Sequence, residues 1–280
     1  MADAPFNFYA GGDHEAFHYP ADHPSEVGAL LIHGFMGSPK ELRPIGEQLA
    51  LGGINVHCIL LPGFGPQISR LATIKRTEWL EAACRAWDDV CARYKRTILL
   101  GYSMGGAIAI HLAVRRAPDR LVLLAPFIRI ADRRAIVLPL LQYVMREFKP
   151  YEKADFNSPQ VRWDFQHIDP DIDLSDPAVQ ERLRREATIP MSSLVELQFM
   201  CRAAARIARR SNAPTLIVQG TRDPISRPAD TRRLARKIAG HLTLTEIDAD
   251  HMLPFDDRPW WPVVRDQIRQ FAVTDVAHEL

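Results

Sequence analysis

Five short segments of this chain are almost entirely apolar, and each ends at or near a glycine or proline. They are VGALLIHG (27–34), INVHCILLPG (54–63), RTILLGYS (96–103), RLVLLAP (120–126) and APTLIVQG (213–220); HLTLTEID (241–248) is a sixth strand candidate. Successive strand side chains point to opposite faces, so an unbroken apolar run needs cover on both sides. Helical patterns lie between the runs. Leu42, Ile45, Leu49 and Ala50 recur at helical spacing in 39–51, which Ser38-Pro39 opens and Gly52-Gly53 ends. Residues 77–95 put Trp79, Leu80, Ala83, Ala86, Trp87, Val90 and Tyr94 on one stripe. A helix over 104–118 ends at Pro118, and another over 259–272 closes the chain. Strand and helix in alternation predict an α/β fold: a mostly parallel sheet flanked by helices.

The rhythm breaks once, after the fourth predicted core strand. Residues 128–213 offer no convincing strand and are too long for a plain connection. Ile136, Val137, Leu140, Leu141, Val144, Met145 and Phe148 follow a helical pattern. An irregular acidic stretch (HIDPDIDLSDP, 167–177) and two more helices (178–187 and 191–210) come after it. The expected organisation is a core domain of residues 1–127 and 214–280 with a helical cap, 128–213, inserted into it.

Charge narrows the partners. Thirty-five Lys and Arg face 34 Asp and Glu, a net charge of +1, so no bulk nucleic-acid footprint is expected. No run reaches the roughly 18 apolar residues of a membrane span. The start, MADAPFNFYAGGDHE, lacks the basic and apolar regions of a signal peptide. Cys58, Cys84, Cys91 and Cys201 are scattered without CxxC or metal-ligand spacing. These features are expected of a cytoplasmic protein with reduced cysteines and no metal.

The third apolar run leads into GYSMGG, with Gly101, Ser103 and Gly105 at spacing two, followed by a helical pattern. A tight strand–turn–helix corner leaves no room for Cβ atoms two residues either side of its apex. Glycines there raise the apex hydroxyl above the sheet edge at a helix N-terminus. A serine becomes a nucleophile only when a base takes its proton and an acid orients the base. His14, His18, His23 and His278 lie near the termini; His57 is mid-strand and His111 sits on the following helix. His33, in LIHGF, is near the site but better placed to brace its loop. His251, in EIDADHMLPF, follows the last strand, where an open α/β sheet forms its crevice. Asp223, three residues beyond Gly220, is the favoured acid, with Asp248 and Asp250 as competitors. Oxyanion donors are expected from the backbone N–H groups of Met104, after the nucleophile, and Phe35, in HGFMG.

HGFMGSP, LPGFG, GYSMGG, VQGTRDPIS and DADHMLPFD, in this order, resemble the α/β-hydrolase superfamily, and within it bacterial carboxylesterases and monoacylglycerol lipases. The likeness runs from about residue 27 to 272. It implies Ser103 as nucleophile, Asp223 as acid, His251 as base, and Phe35 and Met104 as oxyanion donors. It also implies hydrolysis of short- to medium-chain esters or monoacylglycerols through an acyl-enzyme, without cofactor. Two positions depart from the group: Phe64 stands where it usually has histidine, and Asp250 where it usually has glycine before the catalytic histidine. The same residue set also serves carbon–carbon bond hydrolases, thioesterases, lactonases and amidases; a non-catalytic sensor is a further alternative. A small-molecule ester is the expected partner, and the protein is expected to be a monomer or homodimer. The 136–148 stripe suits an acyl pocket, plain packing or transient contact with a lipid surface.

Overall fold

The computed structural model describes residues 9, 12–130, 136–159, 161, 162, 165 and 172–273. Residues 1–8, 167–171 of the acidic stretch, and His278 lie outside the described residues. All six sequence-expected core strands form: β2 (Val27–Ile32), β3 (Asn55–Ile59), β4 (Arg96–Tyr102), β5 (Arg120–Leu124), β8 (Thr215–Gly220) and β9 (Leu242–Ile247). A three-residue strand, β1 (Phe17–Tyr19), joins them and was not legible in the sequence. The sheet order is β1-β3-β2-β4-β5-β8-β9. β1 is antiparallel to β3, and every other pairing is parallel.

Burial follows position in the sheet. β2 and β8 are buried at every residue, whereas β3 alternates buried and half-buried positions. Helices cover both faces. α1 (Arg43–Ala50) and α8 (Trp261–Val273) close one side, where Leu42, Ile45, Leu49, Val264 and Ile268 meet Leu31, Leu100, Val122 and Val218. α2 (Arg76–Arg93) and α3 (Met104–Arg115) close the other, where Trp79, Trp87, Ile108 and Leu112 meet Leu30, Leu99 and Leu123. Ser38 accepts the Lys40 N–H at the head of the 3₁₀ turn that leads into α1.

Segment 128–213 is less regular than expected. Its apolar pattern yields one short helix, α4 (Leu138–Leu141), rather than a helix through 148. Ile136, Leu140, Tyr143 and Val144 are each more than 70% exposed, so no packed face sustains a longer helix. Contrary to expectation the segment also holds strands: β6 (Glu147–Phe148) pairs antiparallel with β7 (Ile189–Pro190). A two-residue ladder is too short to show in a hydrophobic pattern. α5 (Pro177–Glu186), capped by Asp176, contributes Leu183 to a separate small cluster with Phe156, Phe165, Ile172 and Leu174. α6 (Met191–Ile207) packs on α3 and puts Leu197, Met200, Cys201 and Ala204 into the main layer. α7 (Pro228–Ala235) follows β8. No helix among the described residues is long and apolar enough to cross a membrane.

Candidate active site

Ser103 stands between β4 and α3 with φ 52° and ψ −114°, a conformation L-residues adopt only under constraint. The constraint is backbone packing. The Ser103 N–H donates to Leu124 O, and Ser103 O accepts from the Phe127 and Gly106 N–H groups. The flanking glycines are obligatory by contact. A Cβ on Gly101 would lie 2.2 Å from Gly105 O, and one on Gly105 only 2.0 Å from Ile32 O. β2, β4 and α3 therefore touch backbone to backbone beneath the serine.

Two other strands deliver the partners. His251 lies four residues beyond β9, and Asp223 three beyond β8. The Ser103 Oγ–H donates to His251 Nε2 at 3.0 Å, and His251 Nδ1–H donates to Asp223 Oδ2 at 2.7 Å. The carboxylate acceptor fixes the tautomer, with the proton on Nδ1 and a free lone pair on Nε2. Ser103, His251 and Asp223 are all buried. Asp223 Oδ1 accepts the Ile225 and Ser226 N–H groups, both at 2.8 Å, and Oδ2 also accepts Gln219 Nε2–H at 3.2 Å. Four donors thus hold the carboxylate in place.

The competitors are engaged elsewhere. Asp248 is exposed and pairs with Arg222 at 2.6 Å. Asp250 accepts the Met252 N–H and shapes the turn around His251. His33 is fully buried; its Nδ1–H donates to Gly34 O, and its Nε2 accepts the Leu61 N–H. Burial pushes its pKa down to about 4, so it is a neutral brace between two loops. His111 donates from Nε2 to Met200 O and ties α3 to α6.

Phe35 follows β2 in a turn closed by the Gly37 N–H to Gly34 O bond, with Met36 at φ 61°. Neither the Phe35 nor the Met104 N–H donates to a protein acceptor among the described residues. Phe35 packs edge-on against Phe64 and Trp79. Phe64 is fully buried and also meets the His33 ring, so it forms the apolar backing of this turn. Three further neighbours escaped sequence reasoning. Tyr102 donates its hydroxyl to His251 O at 3.2 Å and lays its ring beside the imidazole. Gln219 was readable in principle, as the polar residue in the buried TLIVQG run. Glu41 accepts the Gly34 N–H at 3.0 Å, and no local pattern announces it.

No group of three or more metal-ligating side chains converges among the described residues. The buried chain Ser–His–Asp, with backbone N–H groups nearby, is able to activate a hydroxyl for attack on a carbonyl.

Several known proteins are similar to this chain. The chain is 31% identical over 87 residues to the thermostable monoacylglycerol lipase of Bacillus sp. (strain H-257), a match covering 31% of this chain and 35% of that protein. It is 20% identical over 199 residues to a carboxylesterase of Bacillus subtilis (strain 168), covering 71% and 72% of the two chains. Among solved structures, a metagenome-derived lipolytic enzyme of the LipS and LipT pair superposes with TM-score 0.75 at 18% identity, over 94% of this chain and 98% of that one. The monoacylglycerol lipase of Paleococcus ferrophilus superposes with TM-score 0.70 at 19% identity, over 92% and 98%. At those identities the superpositions carry the fold alone. Residues 25–257, most of the chain, match the family model described as serine aminopeptidase, S33, and the protein is therefore a member of this hydrolase family with an α/β-hydrolase fold.

Proposed function

We propose that the protein is a carboxylic ester hydrolase acting on short- to medium-chain acyl esters or monoacylglycerols. The observation that carries this reading is the continuous hydrogen-bonded line from Asp223 Oδ2 through His251 to Ser103 Oγ. Ser103 Oγ attacks the acyl carbon as its proton passes to His251 Nε2. The carbonyl electrons move onto oxygen, where the Phe35 and Met104 N–H groups receive the charge. The tetrahedral species collapses, His251 protonates the leaving alkoxide, and an acyl-Ser103 ester remains. Water then attacks that ester, giving its proton to His251, and the acid departs as the serine is regenerated. Asp223 keeps the imidazole in the required tautomer and stabilises its charged form. Likeness to a monoacylglycerol lipase and a carboxylesterase supports an ester over an amide substrate.

Residues 128–213 act in this reading as a cap on a core of 1–127 and 214–280, in a cytoplasmic protein. The small cluster around Phe156 supports a unit of its own. The exposed apolar side chains of 136–148 suit transient contact with a lipid surface. Leu140→Glu with Val144→Glu is expected to leave thermal stability unchanged. It should lower turnover of emulsified monoacylglycerol several-fold relative to a soluble ester; an unchanged ratio would remove this role.

The test of the main reading is a set of initial rates on p-nitrophenyl esters from acetyl to palmitoyl, with Ser103→Ala alongside. A loss of about 10⁴-fold or more in kcat on Ser103→Ala is expected. The amide reading, which the name of the matched family favours, is tested on aminoacyl p-nitroanilides. Faster serine-dependent release from these than from any ester would replace the ester assignment.

A further inference from the structure

The turn that presents Phe35 is held from below by a side chain outside the Ser–His–Asp set. Glu41 sits at the head of the segment leading into α1, and its Oε2 accepts the Gly34 N–H at 3.0 Å. Its carboxyl group fills the space under the turn. A Cβ on Gly37 would lie 2.2 Å from Glu41 Oε2, and a Cβ on Gly34 would lie 3.4 Å from the same atom. Gly37 has no positive φ to explain it. What it requires is close approach, and the atoms that approach are those of Glu41. Two carbonyl groups of the turn are also engaged. Gly34 O accepts His33 Nδ1–H and the Gly37 N–H, and Met36 O accepts the Tyr9 hydroxyl. Phe35 N–H keeps no protein acceptor among the described residues.

We propose that Glu41 is a positioning residue for the hydrolytic reaction: by binding the Gly34 N–H and seating Gly37 on its carboxyl group, it fixes the turn in which the Phe35 N–H stays available to the oxyanion. This rests on the ester-hydrolase reading above. Glu41 touches no reacting atom. It acts through the turn, so its removal weakens stabilisation of the tetrahedral species and leaves ground-state binding alone.

The test measures kcat and KM on p-nitrophenyl butyrate, and the inhibition constant of a reversible alkylboronic acid that forms a tetrahedral adduct on the serine. The variants are Glu41→Met, which keeps volume and removes the acceptor; Glu41→Gln, which keeps an acceptor; Gly37→Ala, which displaces the carboxyl group; and the Gly37→Ala/Glu41→Met pair. Glu41→Met is expected to lose about 10- to 100-fold in kcat and a similar factor in boronate affinity, with KM within about threefold. Glu41→Gln should stay within about threefold of the parent. Gly37→Ala should reproduce the Glu41→Met loss, and the double variant should add little to either single one, because both act through one contact. Full kcat in Glu41→Met, a kcat loss without a matching loss of boronate affinity, or additive single losses would each overturn the proposal. If Glu41→Met does not fold, Gly37→Ala with native melting behaviour carries the same comparison. A parent protein with neither serine-dependent turnover nor boronate binding would overturn the ester reading and this proposal together. An active parent indifferent to Glu41→Met overturns this proposal alone.

Discussion

Gln219 is where the acid loop closes on itself. Its fully buried amide Nε2 donates to Gly220 O, Ser226 O and Asp223 Oδ2, and its Oε1 accepts the Thr231 hydroxyl at 2.6 Å. One side chain therefore ties both ends of the 220–226 loop to the carboxylate that orients His251. Gln219→Leu would leave the Thr231 hydroxyl and Ser226 O buried without this partner, at a cost of about 1–3 kcal/mol. It would also free Asp223 to swing. The expected result is a lower melting temperature together with a kcat/KM reduced about tenfold. Lost stability with unchanged kcat/KM would make Gln219 a structural residue only. Residues of this kind mark how far a sequence can be read. Ser103, Asp223 and His251 were legible because each lies just past a strand end, where local pattern fixes position. Asp223 was favoured over its competitor Asp248 by its place just past the fifth apolar run, and Asp248 is found paired with Arg222 instead. Tyr102 and Glu41 were illegible for a stronger reason: their partners are set by the packing of loops far apart in the chain.

The strand–turn–helix corner is the element that makes the site possible, and its two glycines test it. The atoms facing an added Cβ at Gly101 or Gly105 are backbone atoms of Gly105, Gly106, Ile32 and His33, not movable side chains. Either alanine forces β4, α3 or β2 apart. Gly101→Ala and Gly105→Ala are each expected to cost about 2–3 kcal/mol or more, seen as a melting temperature lower by roughly 5–10 °C, and to abolish turnover. Native melting in either variant would show that the corner has slack the contacts deny. Helices show the complementary limit of pattern reading. The stripe in α2 forms as expected because Trp79 and Trp87 are buried completely, with their indole N–H groups on Pro62 O and Arg116 O. A similar stripe in 136–148 yields one helical turn because its apolar side chains meet solvent. Periodicity records what a helix could bury, and only the rest of the fold decides whether there is anything to bury it against.

At the scale of the whole molecule, shifted groups give stability a predictable dependence on pH, with His33, His57 and Glu41 the most strongly shifted of those that titrate between pH 4 and 8. Burial pushes His33 from its ordinary 6.5 down to about 4. Burial, reinforced by the neighbouring His18, pushes His57 down to about 4 as well. Between pH 6.5 and 4 the unfolded chain binds protons at these imidazoles that the folded chain refuses, so folding weakens as pH falls through that window. The fully buried His33 alone contributes a slope of at most about 1.4 kcal/mol per pH unit. Glu41 acts in the opposite direction. Desolvation of its carboxyl group under the turn raises it from 4.5 to about 8, although the residue keeps part of its surface in solvent. From pH 4.5 to 8 the folded chain holds a proton that the unfolded chain releases, so this contribution is lost as pH rises. Below 6.5 the lowered imidazoles, joined by His14 and His111 which burial lowers as well, outweigh the one carboxyl group; well above 6.5 the carboxyl group dominates. The melting temperature is therefore expected to peak at about pH 6.5 to 7 and to fall on both sides. Each limb has its own variant. Glu41→Gln should flatten the decline between pH 6.5 and 8 and leave the acid limb intact, because its amide does not titrate. His33→Gln should shallow the acid limb and leave the alkaline one. An alkaline decline that survives Glu41→Gln would place its cause in another group and leave Glu41 ionised beneath the turn.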